Sequence, residues 1–159
     1  MGEECRIRKY RRRDREAVMR ITAAGFGGFC LDWNIEQHFG ELAGSTWQER
    51  KCAGVDYDLA RNPEHTLVAQ IGGELVGYLC GRVYRTRSLG HVANMAVHPD
   101  HQDRGVGKAL LSAALDHFRD CGLEYVRIET LEQNYKTRKL YPSFGFEEVG
   151  RQVFYFREL

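Results

Sequence analysis

The sequence predicts a single α/β (α+β) domain over residues 1–159, with a mixed, mostly antiparallel central sheet of about seven strands and helices on both faces. A length of 159 residues fits one domain with a sizeable core. A hydrophobic content of 43%, with only 3 prolines, is too apolar for a disordered chain. Segments of strand and helix periodicity also alternate along the chain, which is typical of a mixed sheet covered by helices.

The first 64 residues predict one strand, one helix and a long insertion. Residues 5–10 alternate in the manner of a short strand, and Asp14 is expected to cap a helix that runs to about residue 24. Residues 25–64 carry regularly placed aromatic side chains but little other pattern. Because some forty residues are too many for a bare loop, we expect one or two helices there.

The middle of the chain predicts strands and then a helix. Residues 66–71 and 74–84 form a hairpin across Gly72-Gly73, because two glycines readily adopt the positive φ angles of a tight turn. A further strand over 91–97 ends before Pro99. An amphipathic helix then begins near Gly105, with Gly122 as its natural stop.

The last part of the chain predicts a strand over 124–131, a helix from residue 134 to 144, and a terminal strand pair over 146–150 and 152–157. Pro142 is expected to kink or end that helix, because proline lacks the helical N–H donor.

The net charge of +1, from 23 basic and 22 acidic residues, gives no overall field for nucleic acid or an anionic membrane. Two blocks of opposite sign nevertheless cancel. Residues 1–20 contain eight bases and four acids, a net charge of +4, whereas residues 29–65 contain seven acids and three bases, a net charge of −4.

Several features predict a cytoplasmic protein. The apolar uncharged stretch over residues 21–31 is shorter than the ~18 residues of a membrane-spanning helix. Met1 is followed by the polar run Gly2-Glu3-Glu4, unlike a secretory leader. The five cysteines are widely spaced without a Cys-x-x-Cys pair, so we expect them to be reduced and mostly buried.

The stretch from Val97 to Lys108 combines a strand end, a glycine-containing loop and a helix start, a pattern that favours anion binding. Glycines let the backbone approach a ligand, and the first N–H groups of a helix lack helical partners. The alternative is a loop that only caps its own helix. A Walker phosphate loop is excluded because Gln102 replaces its first glycine, and a dinucleotide fingerprint because Leu110 replaces its third.

Three motifs together resemble the GCN5-related N-acetyltransferase (GNAT) family, which binds acetyl-coenzyme A. They are Gln102-x-x-Gly105-x-Gly107, the preceding Met95-Ala96-Val97-x-Pro99, and the following Asn134 with Leu140-Tyr141-x-x-x-Gly145-Phe146. Their order and spacing match the family over nearly the whole chain. The resemblance implies a sheet that splays between strands 91–97 and 124–131, with the pantetheine arm in the gap.

The resemblance also implies roles for individual residues. The backbone near Met95, Ala96 and Val97 would bind pantetheine and polarise the thioester carbonyl, Asn134 would hydrogen-bond the pantetheine chain, and Tyr141 would protonate the departing thiolate. The pyrophosphate would lie on the backbone amides of the loop and first helical turn: Gln102, Asp103, Arg104, Gly105, Val106, Gly107 and Lys108.

The chemistry requires a base, since an amine attacks a thioester only after losing its proton. His91 and Glu129 are the candidates, although each could instead be an ordinary surface residue. His98 and His101 have no further ligands at metal spacing, so no metal is expected.

The acidic, aromatic segment 29–65 favours a cationic amine as acceptor, through ion pairs and cation–π contacts. The same residues could instead form a solvated helix face and core contacts. The function classes that remain are a small-molecule amine acetyltransferase, a protein or peptide acetyltransferase, a non-catalytic acyl-CoA sensor, and a structural protein. The apolar terminal strand 152–157 further suggests coverage by a partner, as in a homodimer.

Overall fold

The computed structural model describes residues 4–159. The prediction that the chain lacks a secretory leader depends partly on Met1, Gly2 and Glu3. These three residues lie outside the described residues. Five strands form one sheet in the order β1-β2-β3-β4-β5, with β1–β4 antiparallel and β5 parallel to β4. The strands are β1 (Arg6–Lys9), β2 (Thr66–Ile71), β3 (Glu74–Tyr84), β4 (Leu89–Val97) and β5 (Tyr125–Ile128).

The five helices of the described residues are α1 (Arg15–Gly25), α2 (Leu31–Phe39), α3 (Trp47–Arg61), α4 (Val106–Asp120) and α5 (Tyr135–Ser143). The insertion after α1 thus contains two helices, as the sequence allows. No helix within residues 4–159 is both long enough and apolar enough to cross a membrane.

The core has two layers, one on each face of the sheet. The first layer packs α4 against the sheet, with Leu79, Leu110 and Phe118 among its buried side chains. The second packs α1 and α3 against the opposite face around Val18 and Tyr78. Helices on both faces confirm the predicted fold class.

Local backbone preferences account for most element boundaries. The β2–β3 turn uses Gly72 and Gly73 at φ of 58° and 85°, as predicted for a tight hairpin. Gly105 precedes α4 with a φ of 82°, and Gly122 follows it at 75°. Pro142 lies inside the last turn of α5, which ends one residue later at Ser143.

Asp14 stands at the start of α1 as predicted, but its carboxylate bonds elsewhere. Arg8 donates two hydrogen bonds to it, at 2.7 and 2.9 Å, and the backbone N–H of Arg11 donates a third. The side chain therefore ties β1 to the turn before α1 instead of capping the helix. These hydrogen bonds outweigh burial and hold the pKa of Asp14 below its usual value.

The predicted terminal strand pair, 146–150 and 152–157, is not formed, and the described sheet has five strands where about seven were expected. Residues 146–159 have no regular secondary structure. Their apolar side chains lie largely in solvent, with Tyr155 93% exposed, and Phe156 packs edge-on against Phe39 at the end of α2. Alternation alone misled the prediction, because a strand also needs a paired edge along its length.

Candidate active site

The strands β4 and β5 pair for only four residues and then separate. Their register runs from Leu89 opposite Tyr125 to Val92 opposite Ile128, where β5 ends, whereas β4 continues to Val97. A β-bulge on β4 lies at this point. Cys80 and Gly81 are adjacent on β3, but their partners on β4, Asn94 and Val92, are separated by one residue, which is left unpaired. The predicted splay between the two strands is therefore present.

The backbone of β4 beyond the bulge presents free hydrogen-bonding groups to the gap. His98 donates its N–H to Val76 of β3 at 2.8 Å. Because N–H groups along a strand alternate in direction, those of Val97 and Met95 point away from β3 and into the gap. The N–H of Ala96 points back toward β3, and its side chain is buried against α1 and α3. The predicted donors at Met95 and Val97 are thus suitably placed, whereas Ala96 supports the sheet.

The loop after β4 leads directly into α4 and leaves its first amides open. Gly105 has space around it for a ligand, and an ideal Cβ on Gly107 would come no closer than 4.0 Å to Val97. Gln102 donates to the carbonyl of Val97 at 3.1 Å, which fixes the loop on the strand end. Unpaired N–H groups and the helix dipole give this end of α4 a positive potential, as anion binding requires.

The remaining residues of the predicted loop differ in exposure. Asp103 and Lys108 are exposed, and Asp103 accepts from Lys136 of α5 at 2.9 Å, which links the loop to α5. The side chain of Val106 is buried in the core, so only its backbone faces a ligand. Arg104 is exposed and free to contact a phosphate.

Tyr141 of α5 packs at the edge of the α4-side core layer, the layer that also receives the side chains of Met95 and Val97. Burial raises the pKa of its phenol to about 12, so the hydroxyl keeps its proton at neutral pH. Asn134 caps α5, accepting from the N–H of Thr137 at 3.4 Å. Its side chain therefore already has a structural partner.

The two base candidates form a hydrogen-bonded pair at the point where β4 and β5 separate. His91 Nε2 lies 2.7 Å from Glu129 Oε1, and Glu129 is the first residue after β5. His91 is only 3% exposed, whereas Glu129 is 57% exposed and also contacts Arg127. Burial alone would raise the pKa of Glu129, but the bonds from His91 and Arg127 hold it below its usual value.

The ionised carboxylate fixes the tautomer of His91. Glu129 can only accept, so His91 Nε2 carries a proton and donates it, and in the neutral imidazole the free lone pair is on Nδ1. His91 Nδ1 is buried and has no hydrogen-bond partner within residues 4–159. A buried imidazole nitrogen with an available lone pair is suited to accept a proton.

A polar network on the α3 side of the sheet had no signal in the sequence. Asp58 is 1% exposed and accepts from Arg82 at 2.8 and 3.0 Å and from Asn94 at 2.8 Å. Lys51 donates to Asn94 at 2.6 Å and lies over the ring of Phe26, and burial lowers its pKa. Its hydrogen-bonded pairs are 24 to 43 residues apart along the chain, so no local motif could reveal it.

Most acids of segment 29–65 form ion pairs within the chain. Asp32 and Glu36 both pair with Arg50, and Asp56 pairs with Arg15 of α1. The aromatic side chains also pack internally, as for Trp33 and Trp47 at 5.4 Å. The segment therefore offers a cationic acceptor less free charge than its composition suggests.

A sequence profile described as the acetyltransferase (GNAT) family matches residues 28–146. The chain belongs to the GNAT acetyltransferase family. This confirms the resemblance carried by the motifs around Gly105 and Tyr141.

Relatives of the chain include mycothiol acetyltransferases and an N-alpha-acetyltransferase. Mycothiol acetyltransferase of Saccharomonospora viridis is 33% identical over 151 residues, which cover 89% of this chain and 45% of that protein. N-alpha-acetyltransferase RimI of Mycobacterium tuberculosis is 36% identical over 107 residues, 66% of either chain. The chain thus spans about half the length of the mycothiol acetyltransferases it matches.

Solved structures share the fold. PH1933 of Pyrococcus horikoshii superposes with a TM-score of 0.76 at 20% identity, covering 94% of this chain and 93% of that one. The PaiA N-acetyltransferase of Thermoplasma acidophilum, in complex with coenzyme A, gives 0.72 at 18% identity, covering 91% and 90%. At least one solved structure with this fold therefore contains bound coenzyme A.

The buried carboxylate Asp58 provides a test of the α3-side network. Asp58→Asn should lower the free energy of unfolding by about 3 kcal/mol, because it leaves Arg82 without its buried partner. Asp56→Asn, in an exposed ion pair with Arg15, is the matched control and should cost less than about 1 kcal/mol. Urea denaturation measures both, and equal losses would contradict the internal role of Asp58.

Proposed function

We propose that this chain is a single N-acetyltransferase domain that transfers the acetyl group of acetyl-CoA to an amine by direct attack. The observation that carries the proposal is the gap between β4 and β5, which ends at the open N-terminus of α4. The pantetheine arm would bind the free N–H groups of Met95 and Val97. The pyrophosphate would lie on the amides from Asp103 to Lys108, because the N–H of Gln102, predicted to join them, already donates to the carbonyl of Pro99 at 3.2 Å.

The proposed chemistry uses three groups around the thioester. The amine nitrogen bonds to the carbonyl carbon and passes its proton through a water molecule to Nδ1 of His91, which is buried. A backbone N–H of β4 that points into the gap stabilises the oxyanion, a contribution of roughly 3–4 kcal/mol for a donor of this kind. Val97 lies six residues beyond His91, about 20 Å along the strand, so its N–H serves the pantetheine arm. The C–S bond then breaks, and the hydroxyl of Tyr141 gives its proton to the thiolate.

The acceptor is proposed to be an amine, either a cationic small molecule or a protein or peptide amine. Two relatives are named N-alpha-acetyltransferase and L-amino acid N-acyltransferase, which supports an amine on an α-carbon. The pairing of Asp56 with Arg15 and of Asp58 with Arg82, two arginines outside segment 29–65, removes part of the charge argument for a polycation. Thiol release from acetyl-CoA with amino acids, polyamines and peptide N-termini distinguishes these acceptors.

Tyr141→Phe tests the catalytic proposal against that of a non-catalytic acyl-CoA sensor. The variant should lower kcat by about 100-fold or more, with CoA affinity measured by calorimetry unchanged, because only the proton donor is lost. With wild type, no decline in kcat from tyrosine ionisation should occur up to pH 10, since the pKa of Tyr141 is raised to about 12. An unchanged kcat would contradict the acid role.

Gly107→Asp is the contrasting variant, with Gly54→Asp in the open surface of α3 as its control. A carboxylate at the start of α4 should repel the pyrophosphate and weaken CoA binding at least about tenfold, whereas Gly54→Asp should not. Absence of CoA binding to the wild-type chain at millimolar concentration would favour a purely structural protein.

His91→Gln tests the base. It should lower kcat by about 100-fold or more without changing CoA affinity, because glutamine offers no basic nitrogen. Glu129→Gln still accepts the bond from His91, so it should have a smaller effect. A loss confined to Glu129→Gln would instead assign the base to the exposed carboxylate. Unfolding curves of both variants check that buried His91 is not needed only for folding.

We further propose a homodimer in which a second copy covers the apolar terminal segment. Its support is the unpaired outer edge of β5 together with the exposed side chains of Val149, Val153 and Tyr155. Sedimentation velocity should give a dimer that Tyr155→Glu shifts toward monomer. A monomeric wild-type chain at tens of micromolar would contradict the proposal.

A further inference from the structure

A cluster of soft ligands lies at the opposite end of α4 from the active site. His117 and Cys121 are four residues apart and face the same side of the helix end, where His65, from the turn before β2, meets them. His65 Nδ1 lies 3.0 Å from His117 Nε2, and Cys121 Sγ lies 3.7 Å from the same nitrogen. The three candidate ligand atoms all lie within 4.8 Å of one another.

These separations are close to those of a tetrahedral metal site. With Zn–N bonds of about 2.0–2.1 Å and a Zn–S bond of about 2.3 Å, tetrahedral geometry separates neighbouring ligand atoms by roughly 3.3–3.6 Å. To admit an ion, the two imidazoles would open by a few tenths of an ångström and Cys121 Sγ would move closer to His65, because the ligand atoms are now spread over as much as 4.8 Å. Imidazole and thiolate together favour Zn²⁺ and similar transition metals over Mg²⁺ or Ca²⁺.

The packing around the cluster fixes the backbone of its members. An ideal Cβ on Gly81 would lie 2.7 Å from the carbonyl oxygen of His65 and 3.1 Å from the ring of Phe118. Gly90 has similarly little room beneath the same ring. Because neither glycine has a side chain, β3 and β4 can pack closely against His65 and against the turn of α4 that carries His117. Such a site needs little rearrangement to bind an ion.

We propose that His65, His117 and Cys121 form a binding site for a Zn²⁺-class ion, with solvent in the fourth position. The two imidazoles are half-buried, and each binds a metal in its neutral form. On binding, the thiol of Cys121 loses its proton to solvent and its sulfur bonds to the metal as thiolate.

Lys9 of β1 opposes binding. Its ammonium lies 2.7 Å from Nδ1 of His117 and also donates to the carbonyl of Glu64 at 2.9 Å. With Lys9 donating, Nδ1 of His117 is the acceptor and Nε2 carries the proton that points to His65. When a metal binds Nε2 of the neutral imidazole, the proton is on Nδ1. Nδ1 then donates, and the ammonium of Lys9 cannot accept a hydrogen bond from it. Lys9 must then keep only its bond to Glu64, and its charge also repels the ion.

The site is separate from acetyl transfer. His117 lies eleven residues after Val106, which is about 17 Å along the helix. A metal there would join the end of α4 to the strand edge formed by β1 and β2. It would stabilise the folded chain by mass action and take no part in the chemistry.

The experiment titrates the metal-free full-length chain with Zn²⁺ by calorimetry and follows Co²⁺ by its thiolate charge-transfer absorption. One equivalent should bind, and both Cys121→Ser and His117→Asn should weaken binding by at least about 100-fold, more than loss of an outer-shell partner. Cys52→Ser is the matched control, because its thiol lies on α3 and donates to the carbonyl of Met19, away from the cluster. It should bind like wild type.

Lys9→Gln provides an independent and opposite expectation. Glutamine removes the charge and offers an oxygen that accepts from Nδ1, so binding should tighten about tenfold. Equal affinity of Cys121→Ser and wild type, or no stoichiometric binding to Lys9→Gln, would overturn the proposal. Because neither readout depends on acetyl transfer, failure here is distinguishable from failure of the proposed function.

Discussion

The separation of β4 from β5 is the feature on which the rest of the active site depends. Strand pairing normally satisfies every backbone donor of an interior strand, and a bulge with an early end to β5 interrupts it here. The donors of Met95 and Val97 remain directed into the gap, while β3 holds the other side of β4 in register. The sheet thereby keeps a slot beside its edge strand β5, suited to an extended chain that carries its own hydrogen-bonding groups.

The same stretch of chain also supplies the anion site. From Met95 to Lys108 the backbone passes from the slot through a fixed loop into the first turn of α4. Gln102 fastens that loop to the strand end, and Lys136 fastens it to α5. A ligand with an extended arm and a phosphate group can therefore bind to one continuous segment, which explains why short motifs suffice to reveal it.

Prediction from sequence succeeded where structure follows from local backbone preferences. The glycines of the β2–β3 turn and of the α4 boundaries mark positions that other residues adopt poorly, so they could be placed from the sequence. Pairing across the sheet has no such signal. The bond between His91 and Glu129 joins residues 38 apart, and the arginine partners of the acids in segment 29–65 depend on how α1, α2 and α3 pack. The terminal segment failed for the same reason, since alternation does not specify a partner.

The two proposed proton transfers take place on opposite faces of the sheet. His91 lies on the face of α1 and α3, because its neighbour Val92 packs toward α4 and its register partner Arg82 bonds to Asp58 of α3. Tyr141 packs on the α4 side. On the proposed mechanism, an amine approaches from the face of His91, and the thiolate leaves toward Tyr141. The slot is open to both faces only beyond Val92, so the reacting carbon must lie where the strands have just separated. Recognition of the acceptor then depends on the surface around His91 and Asn94 more than on the net charge of the chain.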